Sequence, residues 1–375
     1  MRTIQALTKI HLLTAAIVGI SLSSCESSLE PPLPLGRLEP APAAQCADVP
    51  APILAAVQAQ VQAAQDAGDA AEAELFSPDV ITVVTCGTGT PLAAGRAQSC
   101  TAVFASGLFL LFDAGDGAER SMERLNLPMD ALEAVFLTHY HSDHIADLGE
   151  VIDRSWLLGR KRPLPIYGGE GLSRVVDGFT HAYALDYNYR HAHHGEEVLP
   201  SEFAGAEARP VANPSAEGTI VYEKDGVTVM AFVVNHDPVV PAFGYRVEYA
   251  GKSIVISGDT KDTPSLAAMS EGADVLVSEV MNRTFVEAIE CASDEIGNTS
   301  NAKIVRDIRQ YHIDVDELAQ LAEEAAVQTL VLTHLVPTTD DEALVDTIFT
   351  APVEALFSGE VIAATDGTKV TVPVN

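Results

Sequence analysis

Within six residues, His139-Tyr140-His141-Ser142-Asp143-His144, the chain places three imidazoles and a carboxylate. Imidazoles crowded together with neither a proton nor a metal between them are poorly satisfied, whereas neutral imidazole and carboxylate are ligands for zinc. The run just before, Ala-Val-Phe-Leu-Thr at 134–138, is apolar and β-branched and reads as a buried strand, so the ligands begin where a strand ends. His139 and His141, two apart on an extended segment, face one way, while Asp143 and His144 open the next element and face a second position. That spacing suits two neighbouring metal ions. The competing reading is a solvated polar loop between a strand and a helix, and the density and direction of the ligand set favour metal.

His139-x-His141-x-Asp143-His144 resembles the signature of the metallo-β-lactamase-fold hydrolases, and later segments narrow the likeness to the ribonuclease Z and arylsulfatase-like branch. The run Pro-Ala-Phe-Gly-Tyr-Arg at 241–246, after Asn235-His236-Asp237-Pro238, is similar to the family's stretch beyond its third metal-binding histidine. The run 329–335 ends around His334 as the family's last ligand segment does. The resemblance implies one zinc on His139, His141 and His236 and another on Asp143, His144 and His334, with Asp259 bridging, and a shared water of lowered pKa as nucleophile. Manganese or iron could occupy the same nitrogen and oxygen ligands. It implies an α/β fold, a four-layer αββα sandwich of two mixed β-sheets flanked by helices. Asp143 would also orient the nucleophile. His312, which precedes Ile313-Asp314 where that branch often has a histidine, would protonate a leaving alkoxide or stabilise an oxyanion. Where the branch has His-Glu this chain reads Ser278-Glu279, keeping Glu279 as a supporting group behind the ligands.

The elements around these residues must deliver them. Asp259, in Gly258-Asp259-Thr260, ends an apolar strand at 253–257, where an unpaired carboxylate is costly; a bridge between two cations would satisfy it, as would a turn or a helix cap. Asp113 follows a strand at 109–112 and either orients a metal-bound histidine or caps the next helix. Cys86-Gly87-Thr88-Gly89-Thr90-Pro91 follows a strand at 79–85, and its glycines permit either a plain turn or an anion-facing loop. Helices are expected at 145–158, through Tyr183 and at 315–326, and strands at 101–105, 163–167, 218–223, 227–234, 245–249, 274–280 and 329–335. The segment 186–197 mixes phenols, acids and the imidazoles of His191, His193 and His194 without an apolar face, and reads as a substrate-facing lid, an idle exposed loop or a third metal site.

Arg2 and Lys9 flank the start of an apolar run at 10–22 that ends in Leu22-Ser23-Ser24-Cys25. This resembles a bacterial lipoprotein signal, residues 1–24, with lipid on the Cys25 thiol; an ordinary secretory signal or a short anchor is the alternative. Residues 25–78 read as a Pro- and Ala-rich tether followed by a surface helix at 53–75, and 79–375 as the hydrolase domain. The chain is then exported, on the periplasmic side of a membrane that the lipid anchors. Cys46, Cys86, Cys100 and Cys291 allow three pairings in an oxidising compartment; Cys86 and Cys100 bracket one loop and are the preferred pair, though Cys86 also suits a small buried position.

At 375 residues, 47% hydrophobic, the chain can bury an ordinary core. Its formal charge is −31, falling to −33 if Arg2 and Lys9 leave with the signal, which disfavours nucleic acid as a bulk partner. The expected substrate is therefore a small phosphodiester or sulfate ester outside the cytoplasm. Lactone or β-lactam hydrolysis, or a non-catalytic metal-containing lipoprotein, stand as alternatives, because the fold alone does not choose among them.

Overall fold

The computed structural model describes residues 41–91 and 95–374, so the signal and Cys25 lie outside the described residues. Helix α1, Ala51–Leu75, starts after Pro50 with a second proline in its first turn, and only its last residue is buried, as a surface helix requires.

Among the described residues the strands form two seven-stranded sheets. The first contains β1 (Val80–Gly87), β2 (Cys100–Ala105), β3 (Leu108–Phe112), β4 (Leu132–Phe136), β5 (Leu164–Gly168) and β6 (Ala206–Pro210). The second contains β7 (Thr219–Lys224), β8 (Val227–Val233), β9 (Phe243–Tyr249), β10 (Lys252–Ile256), β11 (Val275–Met281), β12 (Thr329–Val336) and β13 (Glu360–Ala363). The last strand, β14 (Lys369–Pro373), returns to pair with β1. Each sheet is antiparallel in one half and parallel in the other: β3 to β6 run parallel, as do β10 to β13. Parallel neighbours need crossovers. The helices that follow α1 include α2 (Ala118–Arg124), α3 (Ser142–Ile145), α4 (Leu148–Leu158), α5 (Leu172–His194), α6 (Pro264–Ser270), α7 (Arg283–Glu295), α8 (Thr299–Ile308) and α9 (Val315–Glu324).

One apolar cluster, including Phe112, Phe136, Tyr245, Val247, Ile254 and Val277, joins side chains of both sheets. A second packs the outer face of the first sheet under Leu148, Ile152 and Trp156 of α4, and a third packs the second sheet under Leu266 of α6 and Leu318 of α9. The result is the expected four-layer αββα sandwich. Its central strands are buried along their whole length, so they read as continuous apolar runs and not as alternation.

Two expectations about elements need correction. The helix expected at 145–158 is broken: the Ala114 amide donates to His144 O and the Asp147 amide to Ala114 O, so the chain bends to bond the segment after β3 before α4 starts. The segment expected as a lid or loop at 186–197 is largely helical, because α5 runs on to His194 and stops at Gly195 with φ +77. Tyr187 meets Trp156 edge-on at 5.5 Å, and His191 Nδ1 lies 2.8 Å from Leu199 O. The anchors on α5 are too widely spaced to show a helical period. Strand β6 and the α7–α8 hairpin were not foreseen. Cys86 and Cys100 form a disulfide, with Cα atoms 5.0 Å apart; Cys46 and Cys291 are exposed and free among the described residues.

Candidate metal centre

The residues of interest gather just beyond the carboxyl ends of β3, β4, β8 and β10 and near the carboxyl ends of β11 and β12, where open α/β sheets leave room for ligands. Asp113 leaves β3 with φ +60, a conformation aspartate tolerates. Its carboxylate accepts from the Thr138 amide and hydroxyl, both at 2.8 Å, and lies 2.8 Å from His144 Nδ1. The ring of His144 is thereby fixed, with Nε2 buried and without a hydrogen-bond partner. His236, after β8, is held in the same way by the Tyr311 carbonyl, 2.9 Å from its Nδ1.

His139 Nε2 lies 3.0 Å from His141 Nδ1, which lies 3.4 Å from His236 Nε2. Asp259 reaches them because Gly258 lets β10 end tightly against β4: with φ +61, a Cβ there would sit 2.6 Å from Phe243 O and 2.9 Å from Thr138 Cβ. One Asp259 oxygen is 3.4 Å from His144 Nε2, and the other is 3.8 Å from both His236 Nε2 and His334 Nε2. Asp143 is 3.1 Å from His334 Nε2 and 3.6 Å from His144 Nε2. His334 enters through a bulge: Glu279 pairs with Thr333 and Val280 with Leu335, leaving His334 as the extra residue, at φ +45.

Donor atoms of His139, His141, His236 and Asp259 all lie within 4.8 Å of one another, as do those of Asp143, His144 and His334. A third such group is Asp259, His312 and His334, which brings His312 to the same centre. Behind it, Glu279 accepts from the Thr260 amide at 2.9 Å and meets His312 Nδ1 at 3.0 Å. The structure thus brings together every candidate residue except Cys25, which lies outside the described residues. The imidazole and carboxylate donors suit zinc, with the unpartnered His144 nitrogen aimed inward.

The electrostatics divide the cluster. Burial lowers His139 and His141 and pushes His236 down to about 4, leaving neutral imidazoles with free lone pairs. Burial also opposes charge on His144 and His334, but Asp259, with Asp113 or Asp143, outweighs it and raises both. Asp259, despite burial, is held well below the usual carboxylate range by His334 and His144. The acids here require positive charge beside them, which protons on imidazole or metal cations supply.

The cluster floors a cavity of about 450 Å³. Its wall is a feature the sequence analysis missed: Val286 and Ile289 of α7, and Ile304, Val305 and Ile308 of α8. Spacings of three and four residues were the available signal. The Gly87–Pro91 loop contributes Thr90 to the rim, but its amides are engaged, Thr88 with Asp366 and Gly89 with Ala97 O, so it is a turn and not an anion cradle.

Residues 109–335 match the family model described as a beta-lactamase superfamily domain. Ribonuclease Z of Mycolicibacterium gilvum is 35% identical over 263 residues, spanning 69% of this chain and 85% of that protein. Ribonuclease Z of Mycobacterium marinum is 37% identical over 262 residues, spanning 69% and 87%. Among solved structures, a metallo-β-lactamase-fold protein from Bacillus subtilis aligns with TM-score 0.55 and 22% identity, covering 78% of this chain and 100% of that one. The short form of human tRNase Z aligns with TM-score 0.55 and 20% identity, covering 78% and 99%. These two likenesses concern the fold.

The relatives overturn one expectation. A small-molecule ester as partner, with nucleic acid unlikely, does not agree with relatives named for ribonuclease activity. Net charge sums side chains over the whole surface, whereas a phosphate at a metal centre meets the local charge of bound cations. The sulfate-ester half of the expected substrate class draws no support from these relatives.

Proposed function

We propose, from the premise that this chain belongs to the ribonuclease Z family of the β-lactamase superfamily, that it hydrolyses RNA phosphodiester bonds at a centre of two divalent cations. The observation that carries the proposal is Asp259, whose two oxygens reach toward both groups of imidazoles. His139, His141 and His236 would hold one cation and Asp143, His144 and His334 the other, with zinc the first candidate and manganese or iron compatible. Bound there, the cations would polarise phosphoryl oxygens and lower the pKa of water enough to furnish a nucleophile at neutral pH.

The chain's own residues do the remainder. Asp113 and the Tyr311 carbonyl fix the rings of His144 and His236, so the ligands are in place before substrate arrives. His312 lines the cavity; burial works against its charge, but Glu279 beside it prevails and raises it to about 9. Backed by Glu279 and facing the cavity, it is placed to give a proton to a departing alkoxide. Export as a lipoprotein anchored at Cys25 belongs to the same proposal, supported by the signal-like run at 10–22 and by a disulfide suited to an oxidising compartment.

The test is hydrolysis of an oligoribonucleotide by the purified protein and by His141→Ala, with bound metal counted in both. Cleavage that disappears in the variant together with metal is expected. A wild-type protein that carries two metals per chain and leaves RNA intact would sink the proposal.

A further inference from the structure

Strand side chains alternate between the two faces of a sheet, and on the faces that meet inside the sandwich three rows turn from apolar to polar as they near the ligand cluster. On β2 the inner row runs Ala105, Val103, Thr101; on β11 it runs Val275, Val277, Glu279; on β12 Val331 is followed by Thr333. The polar ends of these rows, together with His334, line a chamber of about 20 Å³ between the sheets. A water molecule needs roughly 10–15 Å³ of such space and about two to four polar partners.

Two buried atoms of residues at this chamber have no hydrogen-bond partner among the described residues, His334 Nδ1 and Glu279 Oε2. Their residues are 3% and 2% exposed, so bulk solvent does not serve them, and a buried polar atom left unpaired is costly. Three neighbouring imidazoles each have such a partner. Asp113 faces His144 Nδ1, the Tyr311 carbonyl faces His236 Nδ1, and Thr138 Oγ1 lies 3.0 Å from His139 Nδ1. His334 has the greater need of one, because it is the extra residue of a bulge and its Nε2 must stay directed at Asp143 and Asp259.

We infer that one buried water, held between His334 Nδ1 and Glu279 Oε2 with the Thr101 and Thr333 hydroxyls around it, is the group that orients His334. The imidazole donates its Nδ1 hydrogen to the water, and the water donates to the carboxylate, so Nε2 keeps its lone pair for a cation. Glu279 then serves two histidines, His312 directly through Oε1 and His334 through the water. What His334 is oriented for rests on the metal-centre reading above; the water itself rests on the chamber alone.

The first arm of the test is a crystal structure of the metal-free, full-length protein at a resolution that shows ordered water. Density for a water within hydrogen-bond distance of both His334 Nδ1 and Glu279 Oε2 is expected. A dry chamber, or a protein atom bonded to His334 Nδ1, would overturn the inference and leave the metal-centre reading intact. The second arm measures zinc affinity, by competition with a chelator, in Thr333→Leu and Thr333→Val. Thr333→Leu fills the chamber and expels the water, and affinity is expected to fall about tenfold. Thr333→Val keeps the shape of threonine and the room for water, so it should bind zinc as wild type does. Wild-type affinity in a Thr333→Leu protein whose chamber is dry, or an equal loss in both variants, would overturn the role assigned to the water. Should Thr333→Leu not fold, Thr101→Leu fills the same space from the facing sheet. A wild-type protein that binds no zinc would sink the metal-centre reading, and the first arm would still decide the water.

Discussion

Asp113 shows how much a residue that need not touch substrate can decide. Its carboxylate takes two hydrogen bonds from Thr138 and faces His144 Nδ1, fixing both the loop that carries the ligands and the ring of one of them. Asp113→Asn keeps the shape but weakens the interaction with the imidazole, so metal affinity should fall by about 10–100-fold, measurable by competition with a chromogenic chelator. An unchanged affinity would mean that the loop alone orients His144. Gly258 acts through the backbone. Gly258→Ala places a methyl 2.6 Å from Phe243 O at φ +61, with an expected loss on the order of 1–3 kcal/mol in stability and a displaced Asp259. Metal content and thermal unfolding read the two effects separately, and a variant with full metal and wild-type stability would refute both.

At the scale of elements, α4 and α5 carry a pH-dependent contact. Asp153 of α4 is buried with one oxygen unpartnered, and burial, reinforced by Asp186 of α5, raises it from its ordinary 3.8 to about 6. A carboxyl whose folded pKa exceeds its unfolded one favours the protonated fold. Its stabilising contribution is complete below pH 3.8 and is lost as pH climbs through about 6. At pH 8 the charged side chain is therefore a burden. Asp153→Asn should be more stable than wild type at pH 8 by roughly 1–2 kcal/mol, and the gap should close near pH 4. Denaturant melts at the two pH values would show it, and a gap of the same size at both would place the effect elsewhere.

For the whole molecule, the disulfide ties together the segment that precedes the ligand strands. Cys86 and Cys100 are separated by 14 positions, and the loop they close carries Thr90 to the cavity rim. Replacing both by serine should cost about 3 kcal/mol on loop entropy, read as a shift in the denaturant midpoint, and dithiothreitol should do the same to wild type. If neither changes the midpoint, the buried packing around Cys86 holds the loop without the bond. The acidic surface is a property of the same scale. It bears on solubility and on long-range approach, not on the chemistry at the ligand cluster.

The sequence by itself singled out the histidines and aspartates that the fold gathers into one cluster, because H-x-H-x-D-H at a strand end, and single histidines or aspartates at later strand ends, are local patterns. It determined the sandwich through buried apolar runs and the resemblance those motifs carry, and it marked Cys86 and Cys100 as the preferred pair. Tertiary structure decided that α5 continues through a stretch with no apolar period, since its stability comes from isolated anchors such as Tyr187 against Trp156. It also decided how His334 turns inward, which depends on an extra residue in β12 opposite β11 that no single strand reveals. Last, it brought the aliphatic faces of α7 and α8 over the histidine–aspartate cluster. In the sequence these are ordinary amphipathic spacings, because the partner of an apolar face is chosen by packing between distant segments and not by the residues that compose it.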